Sequence, residues 1–473
     1  MAYHCADPST FDNFGDARDA RDGDFGAGAA SRRRGQARRG ETMHTRIKIQ
    51  MAMTLILCLM SGRAGAQFLQ YTPPGGPEEP PESRQEELER EIDAADHHLG
   101  AVRIAPWAAL RDAAYVKSFF STAGETPDDF TATAGAGFRA YLRNGPKATW
   151  RAQVLPQLVW WAKQAERRQL NGRYTLGFHG FFNRLTLEVQ GGREQQQQIV
   201  TPEVPVLTSA RRDGGEVLAE VEVSRALFAF TAASLTRLDN VVGEAGDPRV
   251  DQLSLLDRED RSARVGLRWR PRQRWMAALG AERSQTDFET GASGALDHSN
   301  AGTAPVAEVR FNGRRLRFGV DLAARSLRAR QGAAFVPYDK VTGSAAVTLR
   351  SANRLSGTLY GSRNLLYSLS PEYAYLTDQR LGLAFDVELG ARTHAHLFVE
   401  GGDNAYTAFQ ALAPRRQEDA FSYGASATFQ LARRVSLGLR ALHSEFDSNL
   451  PGGDRSYSAV GTTLNLLGSL GRL

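Results

Sequence analysis

The chain has 473 residues, 42% of them hydrophobic, a net charge of +5 and a mean hydropathy of −0.39. The length admits one large domain or two to three ordinary ones. The hydropathy excludes a helical membrane protein, because the longest apolar run, 51–60, covers only half of what a spanning helix needs, but it does not exclude a membrane β-barrel, whose strands turn half their residues to a polar lumen.

In chain order, the first 42 residues are rich in Gly, Arg and Asp and lack an apolar pattern. They read as a mis-assigned gene start, or else as a disordered extension. Residues 43–66 have the three parts of a secretory signal: Arg46 and Lys48, the apolar run 51–60, and the small-residue site Ala64-Gly65-Ala66. Cleavage between Ala66 and Gln67 is expected. A lipoprotein signal ending at Cys58 is the alternative, disfavoured by the bulky Leu57. Both cysteines, Cys5 and Cys58, precede the expected mature start. The mature chain is therefore expected to have no disulfide, thiolate metal site or cysteine nucleophile.

Residues 67–82 carry Pro73, Pro74, Pro77, Pro80 and Pro81 and read as an extended linker. The acidic stretch 82–98 suits a short helix. Segment 67–102 has nine acidic residues against two arginines, while the chain from Arg103 to the end is net basic. An acidic arm thus precedes a basic domain, and 78–96 has the charge to enter a basic lumen as a plug.

From Arg103 the pattern is strand, tight turn, strand, long loop. Turns centre near Gly145, Asn183, Arg225, Arg272, Gly313, Ala352, Arg392 and Arg433, spaced by about forty residues. That period also suits a propeller, but each repeat holds two strands of ten or more residues, the length that crosses a bilayer. Leu381, Leu383, Phe385, Val387 and Leu389 share one face and Gly382, Ala384, Asp386 and Glu388 the other. Leu316, Phe318, Val320 and Leu322 alternate with Arg315, Arg317, Gly319 and Asp321, and Val265, Leu267 and Trp269 with Arg264, Gly266 and Arg268. Short connections such as Asn312-Gly313-Arg314 contrast with long ones such as 239–259 and 285–302. The expected fold is all-β: a transmembrane antiparallel up-and-down barrel of about 18 strands, 16 being the alternative count, with short periplasmic turns and long external loops. The first strand is expected near 103–119 and the last near 456–466. Trp160, Trp161, Tyr174, Trp269, Trp275, Tyr373 and Tyr375 are candidates for interfacial girdles.

No Walker loop, dinucleotide fingerprint, zinc-type spacing or nucleophile elbow occurs, so neither catalysis nor a cofactor is expected. His179, His394 and His396 are more readily explained as wall residues than as catalytic or metal groups. The informative feature is the inner face. Parity places Arg139, Arg151, Arg173, Arg264, Arg268, Arg310, Arg315, Arg317, Arg325, Arg350 and Arg440 there, with Glu188, Glu220, Glu222, Glu282, Glu308, Asp321, Asp386, Glu388 and Glu400. Such arginines either supply fixed positive charge for anions or pair with the acids and stiffen the wall.

The closing segment 459–466 resembles the β-signal read by the barrel assembly machinery, with Gly461, Leu464 and Leu466 at its key positions; it departs in lacking a C-terminal Phe. The region from Arg103 to Leu473 resembles the outer-membrane barrels encoded in exopolysaccharide operons and is similar to polysaccharide-export porins in size and lumen chemistry. The resemblance implies an outer-membrane channel for export of a polysaccharide of acidic character. Its implied partners are outer-membrane lipids, the assembly machinery and periplasmic export proteins, and nucleic acid is not among them. The alternatives are a diffusion porin for small anionic solutes and a surface scaffold that anchors polysaccharide. A wide lumen favours transport; a plugged lumen with aromatic-rich loops favours anchoring.

Overall fold

The computed structural model describes residues 84–95, 97–116, 129–163, 165, 168–241, 252–272, 274–289, 297–330, 332–351, 354–410, 413–432 and 435–466. The expected signal, its cleavage site at Ala66 and Gln67, and the proline-rich linker lie outside them. Among the described residues, helix α1 (Arg84–Asp93) precedes a short strand β1 (His97–Leu99) and eighteen long strands. The long strands are β2 (Val102–Val116), β3 (Asp129–Arg143), β4 (Ala148–Trp161), β5 (Gln169–Phe181), β6 (Leu185–Thr201), β7 (Val204–Ser224), β8 (Leu227–Val241), β9 (Arg258–Arg272) and β10 (Trp275–Phe288). They continue as β11 (Asn300–Asn312), β12 (Leu316–Ala329), β13 (Tyr338–Ser351), β14 (Leu355–Tyr367), β15 (Tyr373–Glu388), β16 (Thr393–Ala408), β17 (Gln417–Ala432), β18 (Val435–Ser448) and β19 (Arg455–Leu466).

Each strand from β2 to β19 pairs antiparallel with its neighbours in sequence. The ring is completed by β19 on β2, where Thr462 opposes Ala113, Leu464 opposes Leu110, Asn465 opposes Ala109 and Leu466 opposes Ala108. Every long strand therefore has two partners. In hydrocarbon, where no water satisfies backbone groups, only helices and such rings of strands are viable. No described helix is long and apolar enough to cross a membrane. β1 folds back on β2 through Gly100, whose φ of +62 a residue with a Cβ adopts at a cost.

The period-two pattern sorts the two faces. Leu279 (69% exposed), Leu381 (63%), Leu349 (62%) and Val265 (60%) all lie on one face, with Trp150, Trp160, Trp269 and Trp275. Registers keep this face continuous: Val309 opposes Val320 and Phe311 opposes Phe318, while Leu359 opposes Leu383. Large apolar side chains left open around a whole ring suit lipid, not water. The chain is a transmembrane up-and-down β-barrel.

The eight short turns fall where the sequence places them, between β3 and β4, β5 and β6, and so on to β17 and β18, and span two to four residues. At the other end the connections run from two residues (202–203) to sixteen (242–257). The expected loops 239–259 and 285–302 are shorter than the sequence suggests, because the polar ends of β8 to β11 stay paired beyond the apolar belt. Asn240 clips the base of the first loop, its backbone N–H and side-chain amide both donating to Asp257 at 2.6 and 2.9 Å. Three girdle candidates need correction. Trp161, Tyr373 and Tyr375 are 0–2% exposed and packed inside the protein, whereas Trp160, Trp269 and Trp275 face outward.

Candidate functional site

The inner face of the ring is the chemically distinctive surface. Arg173 of β5 pairs with Glu194 of β6 at 2.5 Å. Arg264 of β9 and Arg325 of β12 share Glu282 of β10 at 2.6 and 3.0 Å. Arg268 and Arg270 of β9 both bind Glu220 of β7, the latter at 2.7 Å. Arg310 of β11 binds Glu308 at 2.6 Å and faces Asp321 of β12 at 3.7 Å. These pairs lie within one strand, between adjacent strands or between strands two apart, and leave the side chains of Glu220 and Glu282 only 8% and 6% exposed. Removing one partner of a pair this buried costs more than making the pair contributes. The pairs therefore stiffen the wall and reduce the positive field the arginines would otherwise project.

Arg317 opposes Thr348, Arg350 opposes Ser356, and Arg440 lies between Ser426 and Gly461. Arg315 does not belong to the strand wall. It sits exposed in the turn between β11 and β12, because β12 begins only at Leu316 and the turn takes three residues, 313–315. The expected inner-face pair of Arg315 and Arg317 is thus a turn residue and a wall residue. Leu464 and Leu466 of the expected assembly signal pair with Leu437 and Val435 of β18, and Gly461 with Arg440. Near the short turns, His396 of β16 donates through Nδ1 to Asp386 of β15 at 2.7 Å. His179 faces Glu188 at 3.9 Å.

Arg139 and Arg151 behave differently. Their carboxylate comes from α1, not from the wall. Arg151 binds Glu91 at 2.9 Å, Arg139 lies 3.8 Å from it, and the Tyr141 hydroxyl donates to its other oxygen at 3.2 Å. Leu88, Ile92 and Ala95 pack with Tyr141, Ala105 and Phe181, which lie at the short-turn ends of β3, β2 and β5. Arg103 of β2 donates to the Ile92 carbonyl and to Asp93, each at 3.1 Å. α1 is therefore seated against the inner wall at the short-turn end.

The long-loop end is also occupied. The tip of the β6–β7 hairpin meets the tip of β14–β15, eight strands away around a ring of eighteen. Glu203 accepts hydrogen bonds from Ser368 Oγ at 2.8 Å and the Leu369 backbone N–H at 2.6 Å. Arg416 lies 3.5 Å from Glu203, and Arg455 donates to the Pro202 carbonyl at 2.8 Å. Beside this contact, aromatic rings from several hairpins converge: Phe288, His298, Phe335, Tyr338, Tyr367 and Tyr375. His298 donates through Nδ1 to the Ala374 carbonyl at 2.8 Å, and burial holds its imidazole below the usual range. Asn300 donates to the Tyr367 hydroxyl at 2.8 Å. The sequence shows these aromatics only as isolated residues near loops, since contacts across the mouth have no local signature.

No protein-family model matches the chain, and no curated protein matches it. Among solved structures, it is similar to Pseudomonas aeruginosa OccK2 (OpdF) in complex with glucuronate at 11% identity. There the alignment covers 77% of this chain and 96% of that one, with a TM-score of 0.45. P. aeruginosa OpdO gives 14%, 76%, 96% and 0.44. The FrpB iron transporter of Neisseria meningitidis, F5-1 variant, gives 9% identity and a TM-score of 0.41; 74% of this chain spans 64% of that one. What decides the fold is the strand pairing of the chain itself.

Proposed function

We propose that this barrel is an outer-membrane channel for an anionic solute, with a nascent acidic polysaccharide as the favoured cargo. The observation that carries the reading is the ring of eighteen paired strands, since barrels of 16–18 strands leave an aqueous channel where smaller ones fill their interior with side chains. The short turns then face the periplasm, and the acidic arm with α1 enters from that side. The barrel region is net basic and its wall is rich in arginine, which favours entry of anions over cations. The chain acts as a passive conduit, not a catalyst, and receives its cargo from periplasmic export proteins. Diffusion of small anionic solutes uses the same features.

A second reading is favoured by one observation. The hairpin contact at Glu203 and the aromatic cluster beside it, with Phe335, Tyr338, Tyr367 and Tyr375 buried in it, occupy the outer mouth. On that reading the barrel anchors polysaccharide at the surface without passing it. Flux into liposomes separates the two. A channel lets oligogalacturonate equilibrate faster than maltotriose of equal length. Retention of oligogalacturonate on the outer surface without any flux would overturn transport.

A further inference from the structure

We propose that Arg139, Arg151 and Tyr141 form a carboxylate-binding site on the lumen wall, and that Glu91 of α1 occupies it as an internal stand-in for the cargo. The ligand class is a carboxylate on a sugar, such as a uronate unit of an acidic polymer. The proposal rests on the channel reading above and deepens it.

The three groups lie on two adjacent strands and share one face: Tyr141 opposes Arg151, and Arg139 opposes Gln153. All three converge on one carboxylate, Arg151 and Arg139 on Oε1 at 2.9 and 3.8 Å, and the Tyr141 hydroxyl on Oε2 at 3.2 Å. A guanidinium and a phenol donating to the two oxygens of one carboxylate is a recognition geometry. What separates this site from the rest of the wall is the origin of its carboxylate. Arg173, Arg264, Arg268, Arg310 and Arg325 bind acids fixed on strands of the ring. Arg139 and Arg151 bind an acid on a helix that precedes the ring and is tied to it by strand pairing only through the three residues of β1 that follow.

The attachment of α1 is correspondingly small. It comprises the apolar patch of Leu88, Ile92 and Ala95, the Glu91 contacts, and Arg103 on the Ile92 carbonyl and the Asp93 carboxylate, with the β1–β2 pairing just beyond. A helix of ten residues is marginal once undocked, so release is reversible and leaves an unstructured arm. A cargo carboxylate reaching the short-turn end meets the same donors and competes with Glu91. Its apparent affinity equals the intrinsic affinity reduced by the fraction of time the site is vacant. The polymer end thus displaces α1 by direct substitution of one carboxylate for another, and the entrance stays occupied when no polymer is present.

The test uses the full chain refolded in detergent, with oligogalacturonate and maltotriose as probes in isothermal titration calorimetry. Glu91→Gln should tighten oligogalacturonate binding about tenfold, the factor carried by about 1.4 kcal/mol. Arg139→Gln with Arg151→Gln, in either background, should abolish it, and maltotriose should respond to none of these changes. Arg151→Lys keeps the charge without the fork and should give an intermediate affinity; it serves as the readout if the double variant fails to fold. Unchanged affinity in Glu91→Gln, or wild-type affinity in Arg151→Lys and the double variant, would overturn the proposal. Binding that tracks these substitutions without any liposome flux keeps the site and removes the channel. Flux with binding that ignores them removes the site and keeps the channel.

Discussion

At the residue scale, one step along a strand exchanges lipid for lumen. Val320 lies on the outer face between Val309 and Ala345, and Asp321 lies on the inner face beside Arg310. Val320→Arg should cost about 2–4 kcal/mol at mid-membrane. Asp321→Asn weakens a long, partly exposed ion pair and should cost less than about 1 kcal/mol. Denaturant titration of the refolded protein in lipid measures both, and equal costs would mean the faces are misassigned. Space is also decisive at Gly137, where an added Cβ would meet the Val154 carbonyl oxygen at 2.0 Å and the Leu155 Cα at 2.9 Å. Backbone cannot yield as a side-chain tip can, so Gly137→Ala should cost about 1–3 kcal/mol in the same titration. Glu203 makes the outer contact sensitive to pH. It lies in a two-residue turn beyond the membrane portion of β6 and β7. Burial pushes its carboxyl above the usual range, against the opposing pull of its hydrogen bonds and Arg416. A carboxyl that binds its proton more tightly in the closed contact stabilises closure fully below its free value and loses that stabilisation as pH rises through the closed-state value. Acid should therefore hold the hairpins together and neutral pH should loosen them. Cross-linking of cysteines placed on the two hairpin tips should be more efficient in acid, and Glu203→Gln should make it independent of pH. Greater cross-linking at neutral pH in the parent chain would contradict this sign.

At the element scale, the strands were legible and the inward folds were not. Alternation such as Leu381 to Leu389, set against eight short turns, placed the ring because local period and turn length determine which face a residue takes. Helix α1 was legible as a short acidic helix, though it ends at Asp93 and 97–99 form β1, and the charge of the acidic arm pointed to a basic lumen. Its seat on Arg139 and Arg151 was not, since a contact 60 residues apart in sequence leaves no periodic trace. The same holds for Glu203, whose partners Ser368 and Leu369 lie 165 and 166 residues away. Pro202 and Pro205 mark an ordinary loop by composition, although β6 and β7 run 17 and 21 residues to meet there. Arg315 was misread because parity continues smoothly into a turn that carries the same residue types as the wall. If α1 is held by its apolar face, Ile92→Lys should free it: limited trypsin digestion should then cut after Arg90 faster than in the parent chain, with the barrel fragment intact. Equal cutting rates would show that α1 is not seated by that face.

At the scale of the whole molecule, pairing of β19 with β2 joins the first and last long strands, and the outer face is apolar enough to remain in lipid. Inside, arginines and carboxylates largely pair, so ionic preference follows from the smaller basic surplus, not from an unopposed arginine band. The charge division in the sequence, an acidic arm before a basic ring, becomes a seated helix at one end, while the contact at Glu203 spans the other. Each reading of function turns on whether a continuous aqueous path exists when these two ends release. Single-channel recording in planar bilayers measures that path. The full chain should insert and give discrete conductance steps with a reversal potential displaced toward the anion in a salt gradient, weakening as salt rises, and Glu91→Gln should increase the time spent open. A heat-modifiable, fully inserted barrel that gives no steps with or without Glu91, or steps that favour cations, would contradict the assignment as an anion-passing channel.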